Sequence, residues 1–453
     1  MLSRAVLRRL VPLAAAGAAL ACAVLPASAH TGQDDRPGAV QVDLEVLVTP
    51  PVTGETTPGG QDPSVSVDSH GNVLATALKE DGQAATVDGR APTHVRAGSW
   101  RWSSGDDGDT FTNVSGRPVQ ADGLVPGGRS VAAAADDRGR GYLLEAHDGV
   151  GLLTVTRSTE QDDVVVENVV PLPAAALLGR TMMAAHGDGH VLLLATPRTG
   201  PTYVGAQGAV GGYSLYRSDD AGASFADLQG VDLDGAEHCG LGVGHAPGSK
   251  QVVVACTMSD GSVAAFRSFD DGRTVQRSTI LKADPSRVPE RPSVAVGRDG
   301  TTSVVVVRST ASGERSTMSL LRSRTTSRTW TRQEVATEPG RWSGASLAVN
   351  GRGRLGLAAY HLAPGPADRA GAGWHVRLAV FTAGRTPLYV DFASHDPVAP
   401  PDFTTAPDNG TALAAGPDNR FHLLWTNVKV PAPGPVSGTP LLRNIWSVRT
   451  LST

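Results

Sequence analysis

Length and composition place this chain among ordinary globular proteins. It has 453 residues, of which 40% are hydrophobic and 19% are charged, and its formal net charge at pH 7 is −4. This balance argues against a disordered or fibrous chain. It also argues against nucleic acid as a partner, because the chain has neither a net positive charge nor a cluster of Lys and Arg with interleaved aromatic residues.

The first 29 residues have the pattern of a signal peptide. Arg4, Arg8 and Arg9 precede an apolar run over residues 10–25, and the Ala-Ser-Ala triplet that ends at Ala29 is a small-residue cleavage site. Cleavage near Ala29 would remove three arginines, so the formal net charge of the secreted chain would fall from −4 to −7.

Two other export routes remain open for this segment. Cys22 lies in a weak lipobox that could carry a lipid anchor, and the Arg8-Arg9 pair could belong to a twin-arginine signal. Residues 30–39 are interpreted as a linker. No later apolar run reaches the roughly 18 residues needed to span a membrane.

Residues 40–453 are predicted to form a single all-β domain. Short apolar segments alternate with Gly, Asp, Asn and Pro turns, and almost no segment has the 3.6-residue period of a helix. Seven segments share one pattern, in which alternating small apolar residues are followed four residues later by a turn. These segments begin at Val65, Ala133, Met183, Leu241, Val294, Leu347 and Leu413.

The spacing of these segments predicts a seven-bladed β-propeller with four-stranded antiparallel blades. Successive turns lie between 50 residues apart, from Gly139 to Gly189, and 68 residues apart, from Gly71 to Gly139. Small alternating residues suit the innermost strands, which crowd around a channel. Six blades is the alternative, if one unit is an insertion. The predicted blades lie near residues 62–115, 129–170, 180–230, 238–281, 291–336, 343–392 and 411–451.

The last unit has room for only three strands before the sequence reaches Thr453. Residues 40–48 (VQVDLEVLV) alternate as a strand does and precede the first unit. We expect this N-terminal strand to complete the last blade, because its pairing would cover an exposed sheet edge and close the ring.

An eight-residue motif, S-x-D-x-G-x-[TS]-[apolar], occurs three times. The copies are SGDDGDTF from Ser104, SDDAGASF from Ser218 and SFDDGRTV from Ser268. Residues 158–165 and 323–330 match the motif only in part. The Asp carboxylate can accept backbone N–H groups, and Gly supplies a positive φ. The motif therefore predicts a tight turn between strands.

This repeated motif resembles the Asp-box, or BNR repeat, of the sialidase-like β-propeller superfamily. The resemblance implies that each copy joins the third and fourth strands of a blade, on the face opposite the functional one. It also implies a structural rather than catalytic role. The residues assigned to that role are Ser104, Asp106, Gly108, Ser218, Asp220, Gly222, Ser268, Asp270 and Gly272.

Cys239 and Cys256 are the two cysteines that remain after the predicted cleavage. They lie at equal distances from the Pro247-Gly248 turn, so a hairpin centred there would place them opposite each other on one face. In an exported protein this arrangement predicts a disulfide. Two buried free thiols are the alternative.

Candidate ligand-binding residues lie three positions before each first-strand segment, where a closed repeat would bring them to the mouth of the channel. These positions hold Asp62, Ser130, Arg180, His238, Arg291, Gly344 and Gly410, flanked by Arg129, Glu237, Glu290, Arg341 and Trp342. Such a set suits an anionic or polyhydroxylated ligand, for instance a carboxylated sugar. Structural pairing is the alternative, since arginine is the usual cation of this chain.

True sialidases, as the resemblance implies, use an arginine triad, an Asp acid/base and a Tyr nucleophile paired with a Glu. Arg291-Pro292 matches only part of the arginine motif of that family, and Tyr360 is the only tyrosine with a suitable placement. Asp62, Glu237 and Glu290 are the candidate carboxylates, but the sequence does not fix their separation and therefore predicts no mechanism.

We therefore expect a secreted monomer that binds a carbohydrate or a protein at its central pocket, or a divergent hydrolase of unassigned substrate. The alternative is an exo-acting glycoside hydrolase of sialidase type. We expect neither cofactor nor metal. His186 and His190 are four residues apart, but in a β-turn this spacing does not place two ligands on one face.

Overall fold

The regular structure of the protein is entirely β within the residues that can be described. The computed structural model describes residues 46–48, 60–79, 99–113, 130–147, 150–158, 163–170, 181–195, 213–228, 233–324, 327, 329–335, 338–364, 372–381, 387–390, 394, 397–399, 410–429 and 442–450. Within these ranges no helix is long and apolar enough to cross a membrane. The predicted signal peptide, the linker, Arg129 and Arg180 lie outside the described residues.

Seven antiparallel sheets occur in the described part of the chain. The strand β1 is Val46–Leu47. The first sheet contains β2 (Gly60–Val67), β3 (Val73–Lys79), β4 (Ser99–Ser104) and β5 (Thr112–Asn113); the second contains β6 (Ser130–Ala135), β7 (Arg140–His147), β8 (Val150–Ser158) and β9 (Asp163–Val170). The third contains β10 (Met182–His186), β11 (His190–Ala195), β12 (Ser214–Ser218) and β13 (Ala226–Asp227).

The remaining sheets follow in chain order. The fourth contains β14 (Ala236–Val243), β15 (Val252–Met258), β16 (Val263–Ser268) and β17 (Gln276–Leu281); the fifth contains β18 (Arg287–Pro289), β19 (Ser293–Val296), β20 (Thr302–Thr310), β21 (Ser316–Ser323) and β22 (Thr331–Glu334). The sixth contains β23 (Arg341–Val349), β24 (Leu355–Leu362), β25 (Trp374–Phe381) and β26 (Pro387–Val390). The seventh contains β27 (Ala412–Ala415), β28 (Phe421–Lys429) and β29 (Leu442–Arg449), together with β1.

The sheets pack face to face in cyclic order. The first strand of each sheet, which in the fifth sheet means β19, contacts the first strand of the next, and β27 of the seventh sheet contacts β2 of the first. A buried apolar layer lies between every neighbouring pair of sheets. The layer between the seventh and first sheets joins Val65 and Val73 to Leu424 and Ile445. The hydrophobic core is therefore distributed around the ring instead of being gathered at one centre.

The N-terminal strand joins the last sheet, as predicted for its described residues. Val46 pairs with Ser447 and Leu47 pairs with Trp446, in the strand order β1-β29-β28-β27. The backbone N–H of Val48 donates to the carbonyl of Ile445 at 2.9 Å. Residues 40–45 of the predicted strand lie outside the described residues. The pairing covers an edge of β29 and links the two ends of the described chain.

The first strands approach each other so closely that side-chain size is restricted there. A Cβ placed on Gly240 would lie 2.2 Å from the carbonyl oxygen of Pro292, and one on Gly242 would lie 2.8 Å from a methyl of Val294. Both contacts join the fourth sheet to the fifth. The small residues noted in the sequence are therefore a requirement of inter-sheet packing.

Serine hydroxyl groups form hydrogen bonds between the first strands of other neighbouring sheets. Ser64 Oγ accepts the N–H of Ala133 at 3.0 Å, between the first and second sheets. Ser293 Oγ accepts the N–H of Leu347 at 3.0 Å, between the fifth and sixth sheets. In both cases the serine directly precedes one predicted unit and the N–H belongs to the first residue of the next. The two bonds therefore occupy equivalent positions in the first and fifth sheets.

Each copy of the eight-residue motif forms the same hydrogen-bonded turn. In the first, Ser104 Oγ donates to Asp106 Oδ1 at 2.7 Å, and Ser104 Oγ accepts the N–H of Gly108 at 2.8 Å. Asp106 Oδ1 also accepts the N–H of Thr110 at 2.9 Å. The copies at Ser218 and Ser268 repeat these bonds. The glycines, at φ between +82° and +89°, adopt a backbone that other residues rarely accept.

The predicted disulfide is confirmed. Cys239 and Cys256 face each other across β14 and β15, with their Cα atoms 4.0 Å apart and their sulfur atoms bonded. Both side chains are fully buried. The bond therefore joins the innermost two strands of the fourth sheet within its core.

Replacing both cysteines, as Cys239→Ala with Cys256→Ala, should lower the free energy of unfolding by about 3 kcal/mol, because the disulfide closes a loop of 17 residues in the unfolded chain. Urea unfolding of both proteins without reductant measures this difference. Mild reductant should leave the folded wild type unchanged, since the sulfur atoms are buried. Equal stability of the two proteins would contradict the expected role.

Asp220→Ala should lower the free energy of unfolding by about 1 kcal/mol at neutral pH, because the turn loses an ionised acceptor at an exposed site. Partial burial opposes ionisation, but hydrogen bonds from Ser224 and Ser218 lower the pKa of Asp220 below 3.8. The stability due to Asp220 should therefore persist above pH 3.8 and disappear as the pH falls through the lowered pKa. Asp227→Ala, at an exposed position of β13, is the matched control; an equal loss there would refute the assignment.

Candidate functional site

A cavity of about 190 Å³ lies where the first strands of all seven sheets meet. Its described lining consists mainly of small apolar residues and hydroxyl groups. Arg291 is the only charged residue of that lining. The hydroxyl-bearing residues are Ser64, Thr181, Ser293, Ser346 and Thr411. The cavity therefore presents one guanidinium among several neutral hydrogen-bonding groups.

The first strands lose their regular pairing at one end, close to the predicted mouth residues. Asp62 has a positive φ of 52° within a register shift between Gln61 and Ser64. Other shifts fall between Ala236 and His238 and between Ser343 and Ser346, and in the fifth sheet β18 ends before β19 begins. Irregularities of this kind redirect side chains that a regular strand would turn toward the sheet faces.

The eight-residue turns lie at the other end of the sheets. In the fourth sheet, Ser268 at the end of β16 pairs with Val252 at the start of β15, beside the hairpin that follows β14. The interrupted end of β14, at His238, is therefore separated from the Asp270 turn by the length of the strand. The Asp270 turn and the interrupted end of β14 therefore lie at opposite ends of the fourth sheet.

Arg291 lies just before β19 of the fifth sheet and approaches residues in or next to two other sheets. A Cβ on Gly410, next to the seventh sheet, would lie 3.3 Å from an Nη atom of Arg291, so glycine leaves room for the guanidinium. His238 of the fourth sheet is exposed at the mouth. Desolvation lowers the pKa of His238, Glu237 raises it, and the nearby charge of Arg291 lowers it further. His238 is therefore close enough to respond electrostatically to Arg291.

Glu290 connects the fifth sheet to its neighbours beside Arg291. Its Oε2 accepts the hydroxyl of Ser343 at 3.1 Å and the N–H of Gly344 at 3.0 Å, both from the sixth sheet. Its carbonyl accepts the hydroxyl of Thr257 in the fourth sheet at 3.0 Å. Desolvation raises the pKa of Glu290, although these hydrogen bonds and the charge of Arg291 oppose the change. Glu290 thus fixes the backbone that carries Arg291.

Two predicted residues of the sixth sheet belong to its packing. The Trp342 side chain is 7% exposed, stacks on His361 with ring centroids 4.1 Å apart and donates its indole N–H to the carbonyl of Glu338. The guanidinium of Arg341 lies 5.2 Å from the ring centroid of Trp374. Neither residue contributes to the cavity lining described above.

Tyr360 lies away from the cavity. Its side chain is fully buried in the layer between the sixth and seventh sheets. Its hydroxyl accepts the N–H of Thr426 at 3.0 Å and donates to the carbonyl of the same residue at 3.5 Å. These bonds give Tyr360 a role in holding two sheets together.

The sequence predictions missed the hydroxyl groups of the lining. Ser346 Oγ and Thr411 Oγ1 lie 2.7 Å apart, and Thr411 Oγ1 also donates to the carbonyl of Gly344 at 3.0 Å. Ser346 lies in β23, two positions after the predicted mouth residue Gly344, and Thr411 directly precedes β27, one position after Gly410. The same alternation of residues that identified the inner strands also contains these hydroxyl groups. They could have been predicted if the polar positions of each segment had been considered together with the apolar ones.

One described group of side chains brings potential metal ligands together at the opposite end. Asp107, Asp418 and His422 place their ligand atoms within 4.8 Å of one another. The Asp107 carboxylate, however, pairs with Arg420 Nη1 at 2.6 Å and with Arg449 Nη1 at 3.0 Å. The group is therefore an ion-pair network that joins the first turn motif to the seventh sheet.

Comparison with known proteins finds similarity at the level of structure. No family model and no curated protein sequence matches the chain. The chain is similar to a protein of unknown function from Dyadobacter fermentans, with 15% identity and a TM-score of 0.50 over 92% of this chain and 100% of that one. This likeness concerns the fold alone.

Two further structures resemble the chain at lower TM-scores. The intramolecular trans-sialidase from Ruminococcus gnavus is 14% identical, with a TM-score of 0.45 over 88% of this chain and 96% of that one. The BP39L lectin from Burkholderia pseudomallei is 12% identical, with a TM-score of 0.48 over 85% of this chain and 99% of that one. The function must therefore be argued from the residues of this chain.

Glu290→Gln should leave the protein as stable as the wild type, or more stable, at neutral pH. Because the pKa of Glu290 is raised above 4.5, its ionisation costs stability as the pH rises from 4.5 through the folded pKa. The amide removes this cost, so thermal unfolding should give a difference that vanishes in acid. Glu290→Ala, which leaves two donors unsatisfied, should be less stable at every pH. If Glu290→Gln were less stable than the wild type at neutral pH but equally stable in acid, the raised pKa of Glu290 would be contradicted.

Proposed function

We propose that the protein binds an anionic carbohydrate, by the terminal residue of a glycan, in the cavity formed by its first strands. The observation that carries this proposal is the position of Arg291, the only charged residue among the described lining of hydroxyl and small apolar groups. A guanidinium offers paired N–H donors to a carboxylate. The hydroxyls suit the neutral oxygens of a sugar ring.

The size of the cavity supports a small ligand group. Its volume of about 190 Å³ is below the range of about 300–1,000 Å³ found for pockets that enclose drug-sized molecules. One terminal acidic sugar, inserted from the interrupted end of the strands, fits this volume better than an extended oligosaccharide does. The rest of a glycan would then remain outside, near exposed residues such as Glu237 and His238.

We propose a secreted seven-bladed Asp-box propeller as the architecture that carries this site. The seven described sheets in cyclic contact, the N-terminal strand in the last sheet and three equivalent motif turns support it. The signal-peptide pattern of residues 1–29 supports export. The disulfide between Cys239 and Cys256 agrees with an oxidising compartment.

A hydrolase is the second candidate, and Glu290 is the residue that favours it. A carboxylic acid with a raised pKa beside an arginine has the property of a general acid. Its carboxylate, however, is already hydrogen-bonded to Ser343 and Gly344, and the residue is not part of the described lining. The buried hydroxyl of Tyr360 also argues against a sialidase-type nucleophile. Binding is therefore the better-supported function.

Arg291→Gln should weaken binding of an acidic glycan by about tenfold or more, because a charge-assisted hydrogen bond is lost. A glycan array of the mature protein first selects between acidic and neutral ligands, and calorimetric titration then measures Kd for wild type and variant. Arg298→Gln, an exposed arginine in the turn between β19 and β20, is the matched control and should bind normally.

The outcomes separate the two functions. Preference for neutral glycans, or unchanged affinity in Arg291→Gln, would overturn the proposed site. A panel of fluorogenic sialosides and other glycosides tests hydrolysis in parallel. Turnover that Glu290→Gln abolishes, at wild-type stability, would favour the hydrolase.

A further inference from the structure

A second pocket, separate from the central cavity, lies between the fourth and fifth sheets. Its volume is about 490 Å³, and it shares no described lining residue with the central cavity. Its lining joins the end of β17 and the following connection to β20 and β22 of the fifth sheet. The lining residues are Ile280, Leu281, Lys282, Ala283, Asp284, Pro285, Arg308 and Arg332.

Arg308 occupies a position that the strand pattern assigns to the core. In β20, residue 308 faces the same side as Val304 and Val306, which are buried in the layer between the fourth and fifth sheets. Arg308 is 7% exposed, and its Nε is buried without a hydrogen-bond partner. Among the described residues, no hydrogen bond or ion pair of the Arg308 side chain is found. A charged group in such a position is costly unless a partner arrives.

The surroundings of Arg308 are predominantly cationic. Lys282 and Arg332 share the lining with Arg308, and Arg287 lies near on the facing strand β18. Burial lowers the pKa of Arg308, and the charges of Arg332 and Arg287 lower it further, against the opposing effect of Asp284 and Glu334. These neighbours disfavour the charged form of Arg308 and would favour an added anion.

The two acidic neighbours are already engaged. Asp284 accepts the N–H of Ser286 at 3.0 Å and the hydroxyl of the same residue at 2.6 Å. Glu334 accepts the hydroxyl of Ser319 at 2.8 Å and pairs with Arg332. Neither carboxylate forms a hydrogen bond with Arg308 among the described contacts.

We propose that this pocket is a second binding site, which takes an oxyanion of the sulfate class through Arg308 and Lys282. The Arg308 guanidinium supplies directed donors, and Lys282 at the rim supplies long-range attraction. The apolar side chains of Ile280, Leu281 and Pro285 form a wall suited to the carbon skeleton that bears the anion. A sulfate ester or a free inorganic anion would use the same contacts.

Equilibrium dialysis with radiolabelled inorganic sulfate tests this site on the mature protein at constant ionic strength. Arg308→Met should lower the affinity for one sulfate per chain by about tenfold or more. Lys282→Gln, an exposed rim change, should weaken binding roughly two- to fivefold. Arg298→Gln, at the far end of the fifth sheet, and Arg291→Gln, in the central cavity, should retain this bound anion.

Stability measurements distinguish a ligand-binding arginine from a structural one. In sulfate-free buffer Arg308→Met should melt at the wild-type temperature or higher, because an apolar side chain replaces a buried N–H donor that has no partner. Competition by phosphate, glucuronate and a sulfated disaccharide then identifies whether a free ion or a glycan-borne group binds best. The proposal would be overturned if Arg308→Met bound sulfate as well as the wild type does. It would also be overturned if Arg298→Gln lost as much sulfate binding as Arg308→Met, or if Arg291→Gln bound no sulfate.

Discussion

Close approach of the first strands is the constraint on which the rest of the structure depends. Where the fourth sheet meets the fifth, only glycine fits at residues 240 and 242. Between the first and second sheets, and between the fifth and sixth sheets, a serine hydroxyl accepts a backbone N–H of the neighbouring first strand. Since Ser64 and Ser293 also line the cavity, the chemistry of the cavity follows from the way in which the sheets close around it.

The same crowding explains why the candidate site lies at one end of the strands. Regular pairing ends there, and bulges or breaks let the chain diverge from its neighbours. Glu290 then restores contact by binding the Gly344 backbone, whose φ of +63° and proximity to Gly410 exclude a larger residue. Arg291 directly follows this anchored glutamate in the chain, which favours a preorganised binding group.

The sequence predicted the features that depend on local pattern. Alternation followed by a turn identified the inner strands, and the symmetry of Cys239 and Cys256 about a turn identified their pairing. It could not place Tyr360 or Trp342, because strands between two packed sheets are buried on both faces and alternation does not distinguish a core face from a site. The contact of Glu290 with Ser343, 53 residues away, depends on how two sheets pack, which no local pattern encodes.

Burial, and not the frequency of arginine, distinguishes Arg308 from the surface arginines of this chain. Because 36 of its 40 basic residues are arginines rather than lysines, an arginine on the surface needs no functional explanation. A compositional preference does not reduce the cost of removing a guanidinium from water, however. Arg308 continues a series of core valines, where another aliphatic residue would satisfy the packing. Its charge is therefore best explained by a partner of opposite charge that enters from outside the chain.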